Sequence, residues 1–411
     1  MRPLHVLDVS APIIAGYTSR ARSILENQRR IGLYPMALTG LRQGPTNTAS
    51  ELIDGTLHLR TRAPFRGSNK SRHRVPGVDE TLEMAALGQR IVEASRQHSI
   101  DILHAHSPIL CGIAAGAAAK WSSLPSVYEI RAFWEDAAAH QGRGDERSAR
   151  YAAIRALETR VARSADAVVV ICEGIRRDLL ARGLPNERIF SIPNGVDTAR
   201  FVPRERDRGL AERLGFQGKT VIAYLGTLFR FEGVDLLLRA LARLIREDDS
   251  LRGLIVGHGE AEPELRALHA ALGLEGRVIM TGSVPPSEIG PYYSVADILC
   301  YPRQSHRITE LTTPLKPLEA MSMKKAVVAS DVGGLRELVT DGKTALLFKA
   351  ANLGHLQSVL RSVASDSSLR QRLGDSARDD MVRSRDWRSL AKRYVEVYGV
   401  ANERARKRTA Q

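Results

Sequence analysis

TVIAYLGTLFRFEGVDLLLRALARLIREDDSLRGLIVGHG (220–259) decides how this chain is read. It opens on an apolar run, TVIAYLG, and closes on a second, LRGLIVGHG (251–259), both of strand length. Between them, GVDLLLRALARLI (233–245) sets its leucines at helical spacing. Strand, helix and strand in that order predict a parallel pair joined by a crossover helix. The pattern continues outward in both directions. Toward the C-terminus come RVIMTGSV (277–284), ADILCYP (296–302) and KAVVASDVGG (325–334), with the helical AEPELRALHAAL (261–272) among them. Toward the N-terminus stand LHVLDVS (4–10), IDILHAHS (100–107), PSVYEI (125–130), DAVVVIC (166–172) and RIFSIPNGV (188–196). Helical SRARSILENQRRIG (19–32) and RYAAIRALETRVARS (150–164) separate some of these strands. Strands alternating with helices imply parallel sheets covered on both faces. The fold class expected is α/β, with two doubly wound Rossmann-like halves. The polar stretch DTARFVPRERDRG (197–209) puts the domains at 1–197 and 198–387.

A chain of 411 residues is too long for one ordinary core, in keeping with two domains. Its longest apolar runs, CGIAAGAAA (111–119) and AVVVIC (167–172), are far too short to span a bilayer. The opening MRPLHVLDVS reads as a first strand rather than a secretory leader. Cys111, Cys172 and Cys300 are too scattered for a disulfide framework or a CxxC metal site. Buried free thiols in a cytoplasmic protein are the expectation. The net charge of +14 favours anionic partners. RTRAPFRGSNKSRHR (60–74) holds six Lys/Arg and no acid, and ANERARKR (401–408) is also basic. These segments are either solvated surface or a contact with anionic lipid or a lipid-linked phosphate. Nucleic acid is disfavoured, because Phe65 is the single aromatic in the longer stretch and no stacking platform accompanies it.

Open parallel sheets bind ligands beyond the carboxyl ends of their strands, so the residues there are the candidates. After the first strand, Gly16 and Thr18 precede a helix as either an anion-receptive turn or a flexible loop. Gly257 and Gly259 form G-x-G without a third glycine, which tight strand-to-helix packing explains better than a dinucleotide. No Walker A lysine motif is present. In YEIRAFWEDA (128–137), Arg131, Trp134, Glu135 and Asp136 crowd one strand end. An indole for stacking and carboxylates for hydroxyls suit sugar recognition; the plainer alternative is a helix start whose acids complement the dipole. His104 and His106 lack metal partners by spacing and are expected to point one into the core and one toward the ligand face. His106, nearer the strand's carboxyl end, is the functional candidate.

The order of motifs then carries a resemblance. PNGVD (193–197), YLGTLFRFEGVDLLLRAL, VGHGEAEPEL, GSVPPSEIGPYYSVADILCYP and PLKPLEAMSMKKAVVASDVGGLRELV together resemble the donor half of retaining glycosyltransferases of family 4. APIIAGYTSRARSILENQRRIG, DILHAHSP, VYEIRAFWEDAA and ICEGIRRDLL resemble the subgroup found with exosortase and exopolysaccharide gene clusters. The resemblance implies the GT-B fold, two Rossmann-like domains facing each other across a cleft. It also implies that a C-terminal helix within 388–411 returns to the first domain. A nucleotide-sugar would bind the C-terminal half and a saccharide or lipid-linked saccharide acceptor the N-terminal half.

By the same resemblance, Glu319 would bond the donor's ribose hydroxyls. The family's other glutamate falls on Leu311, and Glu310 stands one residue early. The family's Arg and Lys after the strand YLG are replaced by Thr227 and Glu232. A leaving diphosphate still needs cations or N–H donors, so Lys316 and Arg303 are expected there, with Arg230 near. The expected donor surface comprises Gly16, Thr227, Arg230, Val284, Arg303 and Thr312, continuing through Thr313, Leu315, Lys316, Leu318 and Glu319. The expected catalytic residues are Arg131, Glu135, Asp136, His106 and Lys316. No Asp-x-Asp pair sits at a strand end, so no metal and no separate cofactor are expected. The expected reaction is sugar transfer with retention, without a covalent enzyme intermediate, at the inner face of the cell membrane. Two rival readings are another GT-B enzyme, an epimerase or phosphorylase, and a non-catalytic polyanion-binding protein at a membrane surface.

Overall fold

The computed structural model describes residues 1–44, 48–62, 78–140 and 145–410. It divides into two compact units: Met1–Pro193 with Trp387–Gln411, and Asn194–Asp386. The change of unit falls four residues before the expected 197/198 because of Asn194. Its buried amide donates to the carbonyl and hydroxyl of Thr313, at 2.8 and 3.1 Å, tying the Pro-Asn-Gly turn to the second unit. Val196 N–H likewise donates to Arg385 O.

The first unit holds strands β1 (Pro3–Leu7), β2 (Met36–Thr39), β3 (Ser50–Ile53), β4 (Thr56–Arg60), β5 (Ile102–His106), β6 (Ser126–Ile130), β7 (Ala167–Val170) and β8 (Ile189–Ser191). They form one sheet ordered β3-β4-β2-β1-β5-β6-β7-β8, parallel except for the β3–β4 hairpin. β1, β5, β6 and β7 are buried throughout, which is why each reads as a nearly unbroken apolar run. The helix Trp387–Thr409 lies in this unit, burying Trp387, Leu390, Tyr394 and Tyr398 against Ile24, Val127 and Val169. Its basic end is partly structural: Arg408 bonds both oxygens of Asp166, at 2.7 and 2.9 Å.

The second unit is an all-parallel sheet ordered β11-β10-β9-β12-β13-β14. Its strands are β9 (Thr220–Leu225), β10 (Leu251–Val256), β11 (Val278–Gly282), β12 (Ile298–Tyr301), β13 (Ala326–Ser330) and β14 (Leu346–Phe348). The quoted stretch is β9, the helix Val234–Glu247 and β10, with Leu237, Leu238, Leu241 and Leu244 at most 1% exposed. The strand order reverses between β9 and β12, so their carboxyl ends flank the position where such sheets bind ligands.

Several expectations change. The strands β2, β3, β4 and β14 were not foreseen, being short or half polar. Of the basic stretch 60–74, residues 63–74 lie outside the described residues. Arg60 is buried, pairs with Glu51 and donates to Ser10, Thr39 and Ala11, so it belongs to the interior rather than to a lipid-facing patch. All three cysteines are buried, and none is joined in a disulfide among the described residues. No helix among the described residues is long and apolar enough to cross a membrane.

Candidate active site

In the second unit the loops after β9 and β12 and the helix Lys316–Ser322 carry the predicted donor residues. Glu319 stands in that helix's first turn. Its Oε2 accepts from Tyr293 Oη at 2.8 Å and from Lys316 Nζ at 3.0 Å, which leaves Oε1 open on a side chain 16% exposed. Burial drives the Tyr293 hydroxyl upward from its ordinary pKa, with Glu319 beside it adding to the effect, so Tyr293 remains a donor. Lys316 is 41% exposed and its backbone carbonyl takes a bond from Tyr301. One carboxylate and one ammonium thus share a helix start, both reachable from solvent.

Arg303 behaves differently. Its Nε and Nη2 bond the two oxygens of Glu232 at 3.1 and 2.7 Å, its Nη1 bonds Thr312 O, and it lies 5.4 Å over the Phe231 ring. The pair is buried and carries no net charge, so Arg303 is withdrawn from the phosphate role expected of it. A carboxylate at 232 and a guanidinium at 303 answer one another across two loops. Arg230 is an exposed partner of Glu264. Thr227 is exposed and its carbonyl accepts from Tyr224 Oη.

Val284 and Leu315 are half buried against the core; Leu318 is 0% exposed, with its N–H spent on Leu315 O. Leu318 therefore leaves the donor set. Glu310, the displaced glutamate, accepts from Gly333 N at 2.7 Å and from Ser305 Oγ at 2.7 Å, and anchors the DVGG turn. Gly257 and Gly259 serve packing: a Cβ on either would stand 1.8 Å from Gly226 O or 2.5 Å from Leu228 O.

In the first unit, Arg131 follows β6 and is 8% exposed. Its Nε donates to Glu129 Oε1 at 3.1 Å, Nη1 to Tyr17 O at 2.6 Å and Nη2 to His106 Nδ1 at 2.7 Å. Its guanidinium stacks 4.4 Å over the Tyr17 ring. One hydrogen on each terminal nitrogen is left over for a ligand. Glu129 stands opposite His106 in the sheet register. Burial, the largest single influence, would raise its carboxyl, but Arg20 at 2.9 Å together with His106 and His104 outweighs it, so Glu129 is held well below the usual carboxylate range.

His104 and His106 are both 0% exposed and point the same way, contrary to expectation, because residues two apart on a strand share a face. His106 therefore supports Arg131 from behind. Glu135 and Asp136 also turn inward: Glu135 pairs with Arg182 at 2.6 Å, and Asp136 accepts from Tyr151 Oη at 2.6 Å. Asp136 thereby ties the helix Trp134–His140 to Ala149–Ser164, Glu135 ties it to the end of Glu173–Ala181, and both carboxylates are buried. Gly16 begins the helix Gly16–Arg30 in an exposed position, behind the exposed Ile13 and Ile14. Thr18 closes that helix start by accepting from Ala15 N–H. Glu129 and Tyr17 were missed as site residues; a charged residue inside the apolar strand SVYEI was the available signal for Glu129.

Residues 53–200 match the family model of Glycosyltransferase Family 4, and residues 209–380 that of Glycosyl transferases group 1. The chain is 28% identical over 223 residues to the alpha-D-kanosaminyltransferase of Streptomyces kanamyceticus, covering 54% of this chain and 56% of that one. It is 31% identical over 225 residues to the D-inositol 3-phosphate glycosyltransferase of Nocardia farcinica, covering 53% and 49%. The match thus spans about half the length of these curated relatives. Among solved structures, HepE of Anabaena in complex with UDP superposes with a TM-score of 0.73 at 16% identity, over 97% of this chain and 100% of that one. The fold and the two domain matches agree: the chain has the GT-B fold, with one region similar to Glycosyltransferase Family 4 and the other to Glycosyl transferases group 1.

Proposed function

We propose that the chain is a retaining, metal-independent glycosyltransferase. It carries a sugar from a nucleotide-sugar to a saccharide or lipid-linked saccharide acceptor, in the synthesis of an exopolysaccharide or cell-surface glycan at the inner face of the membrane. The single observation carrying this reading is Glu319, a partly exposed carboxylate in the first turn of a helix, oriented by Tyr293 and Lys316. A carboxylate is the natural double acceptor for a ribose diol, and Oε1 is open to begin that contact. The relatives are sugar transferases by name, and the HepE structure contains UDP; both support a nucleotide-sugar donor.

In the reaction, the donor diphosphate gathers negative charge as the glycosidic bond lengthens. Lys316, released from Glu319 by the ribose hydroxyls, moves to that charge and stabilises it. Thr312 and Thr313 hold the preceding loop through Arg303 and Asn194. Arg131 offers its remaining N–H groups to substrate oxygens in the first unit. The donor's own phosphate assists the incoming hydroxyl, so the new bond forms on the face the old one leaves.

Calorimetry with UDP, GDP, ADP and their sugar derivatives tests the reading. One nucleotide class binds the wild type and Glu319→Ala binds none; near-normal affinity in the variant places the donor site elsewhere. Transfer in the presence of EDTA, with the product's anomeric configuration read by NMR, tests metal independence and retention.

A further inference from the structure

Arginine can only donate hydrogen bonds, and in the first unit that one-sidedness propagates through a ring of buried groups. Arg131 Nη2 lies 2.7 Å from His106 Nδ1, so Nδ1 accepts and a neutral His106 carries its proton on Nε2. His106 Nε2 lies 2.8 Å from His5 Nδ1, which must accept in turn. His5 then donates from Nε2 to Gln28 Oε1 across 2.9 Å. The Gln28 amide donates to the Tyr398 hydroxyl at 2.8 Å, and that hydroxyl donates to His104 Nδ1 at 2.9 Å. His104 is left with its proton on Nε2, 3.4 Å from Glu129 Oε2. That last contact is a close electrostatic approach rather than a formed hydrogen bond, and Glu129 Oε1 receives Arg131 Nε, which leads back to the starting residue.

From Arg131 to the Tyr398 hydroxyl the directions follow from the arginine, and Glu129, which can only accept, sets His104 from the other side. Reversing one link sets two donors or two acceptors face to face at the next. His5, Gln28, His104, His106, Glu129 and Tyr398 are each at most 1% exposed, so no bulk water relieves such a mismatch. All three imidazoles are pushed below the ordinary histidine pKa, burial being the largest cause, which keeps the ring neutral where neutrality is needed.

A metal ion is the rival occupant, since the three imidazoles bring ligand atoms within 4.8 Å of one another. Their geometry opposes it. His104 lies 4.6 Å from the His5 ring and 4.3 Å from the His106 ring, at interplanar angles of 38° and 15°, so its in-plane lone pairs run beside theirs instead of converging with them. The His5–His106 nitrogens are already joined by a hydrogen bond, and Arg20 and Arg131 add positive charge beside them.

We propose that this ring is a positioning device for Arg131. Tyr398 on the C-terminal helix, acting through Gln28 and the histidines, holds the guanidinium in the one orientation that leaves its outer N–H groups for substrate oxygens. A proton on His106 Nδ1, from tautomer exchange or protonation, would face the guanidinium with N–H and push it out of place. Arg20 and Tyr394 complete the surroundings by fixing the other bonds of Glu129, at 2.9 and 2.6 Å. Tyr398 is a positioning residue; the contact with substrate belongs to Arg131 and rests on the glycosyltransferase reading above.

The test is long-range ¹H–¹⁵N NMR of the histidines in the full chain, with Tyr398→Phe as the variant. In the wild type all three histidines are Nε2–H tautomers and none titrates between about pH 6.5, the ordinary histidine value, and about pH 8.5. Tyr398→Phe removes the donor to His104 Nδ1, so His104 populates the other tautomer and the Arg131 Nε–H exchanges faster with solvent. Turnover of the variant falls about tenfold with the donor KM unchanged. A wild-type histidine on Nδ1–H, or titrating in that window, overturns the proposal, and this measurement stands even if the variant does not fold. Unchanged turnover in a variant whose His104 has changed tautomer overturns it as well. If the chain transfers no sugar, the proposed function fails, while the tautomers and the Arg131 exchange rate still decide whether the ring orients Arg131.

Discussion

Arg303 grips Glu232 with two hydrogen bonds of 2.7 and 3.1 Å, joining the loop after β12 to the loop after β9. The side chains are 8% and 12% exposed, so the attraction is little screened and neither charge has water to fall back on. Breaking such a pair from one side strands a buried charge. Glu232→Gln is expected to lower unfolding stability by about 3 kcal/mol in urea titration. Replacing both residues with methionine should recover most of that loss; a double variant as unstable as the single one would show that the loops need the ion pair itself.

Lys316 is the cation we propose for the diphosphate. Lys316→Ala is expected to cut turnover by more than roughly tenfold while thermal stability stays near that of the wild type, because the side chain is 41% exposed and acts on developing charge. The rate of nucleoside diphosphate release reads this directly. Unchanged turnover would move the charge-stabilising role to another group.

Gly333 packs against the backbone of Glu310. A Cβ there would stand 2.3 Å from Glu310 O and 2.9 Å from its Oε2, the oxygen that accepts from Gly333 N–H. Gly333→Ala is expected to cost about 2 kcal/mol by overpacking. Glu310→Ala, which strips the Gly333 N–H of its acceptor, should cost about 1 kcal/mol. Equal stability of both variants and the wild type would show the turn to be softer than its contacts imply.

Glu158 supplies a pH dependence. Burial pushes its carboxyl from 4.5 up to about 8, and it accepts a hydrogen bond from Tyr128. The folded state therefore binds this proton more tightly than the unfolded state, so the contribution is fully present below pH 4.5 and is lost as pH rises through about 8. The midpoint of thermal unfolding should fall over that window, and Glu158→Gln, neutral throughout, should flatten the fall. Identical slopes in the two proteins would count against a protonated Glu158.

Much of this architecture could be read without coordinates, for local reasons. Strands buried on both faces must be apolar along their length, so AVVV and AVVAS declare themselves, and the leucines of 234–247 keep a helical period. The β3–β4 hairpin was missed although its signal was present. Asp54-Gly55 lies between two short runs, and both residues adopt positive φ, 48° and 71°, as a tight hairpin turn requires. Glu319 was legible because its motif is continuous in sequence.

The charge relations were not legible, because they depend on which strand ends the topology brings together. Arg303 looked like a phosphate ligand until the sheet order set β9 beside β12 and delivered a carboxylate from 71 residues away. Glu135 and Asp136 looked like sugar ligands until a helix start turned them toward Arg182 and Tyr151. His104, His106 and Tyr398 showed no shared purpose until the C-terminal helix docked on the first sheet and closed their ring. Periodicity and composition act over a few residues, and by themselves they determined the two doubly wound halves. The pairing of buried charges acts through space, where desolvation forbids any group to stay alone, and only the tertiary structure decided it.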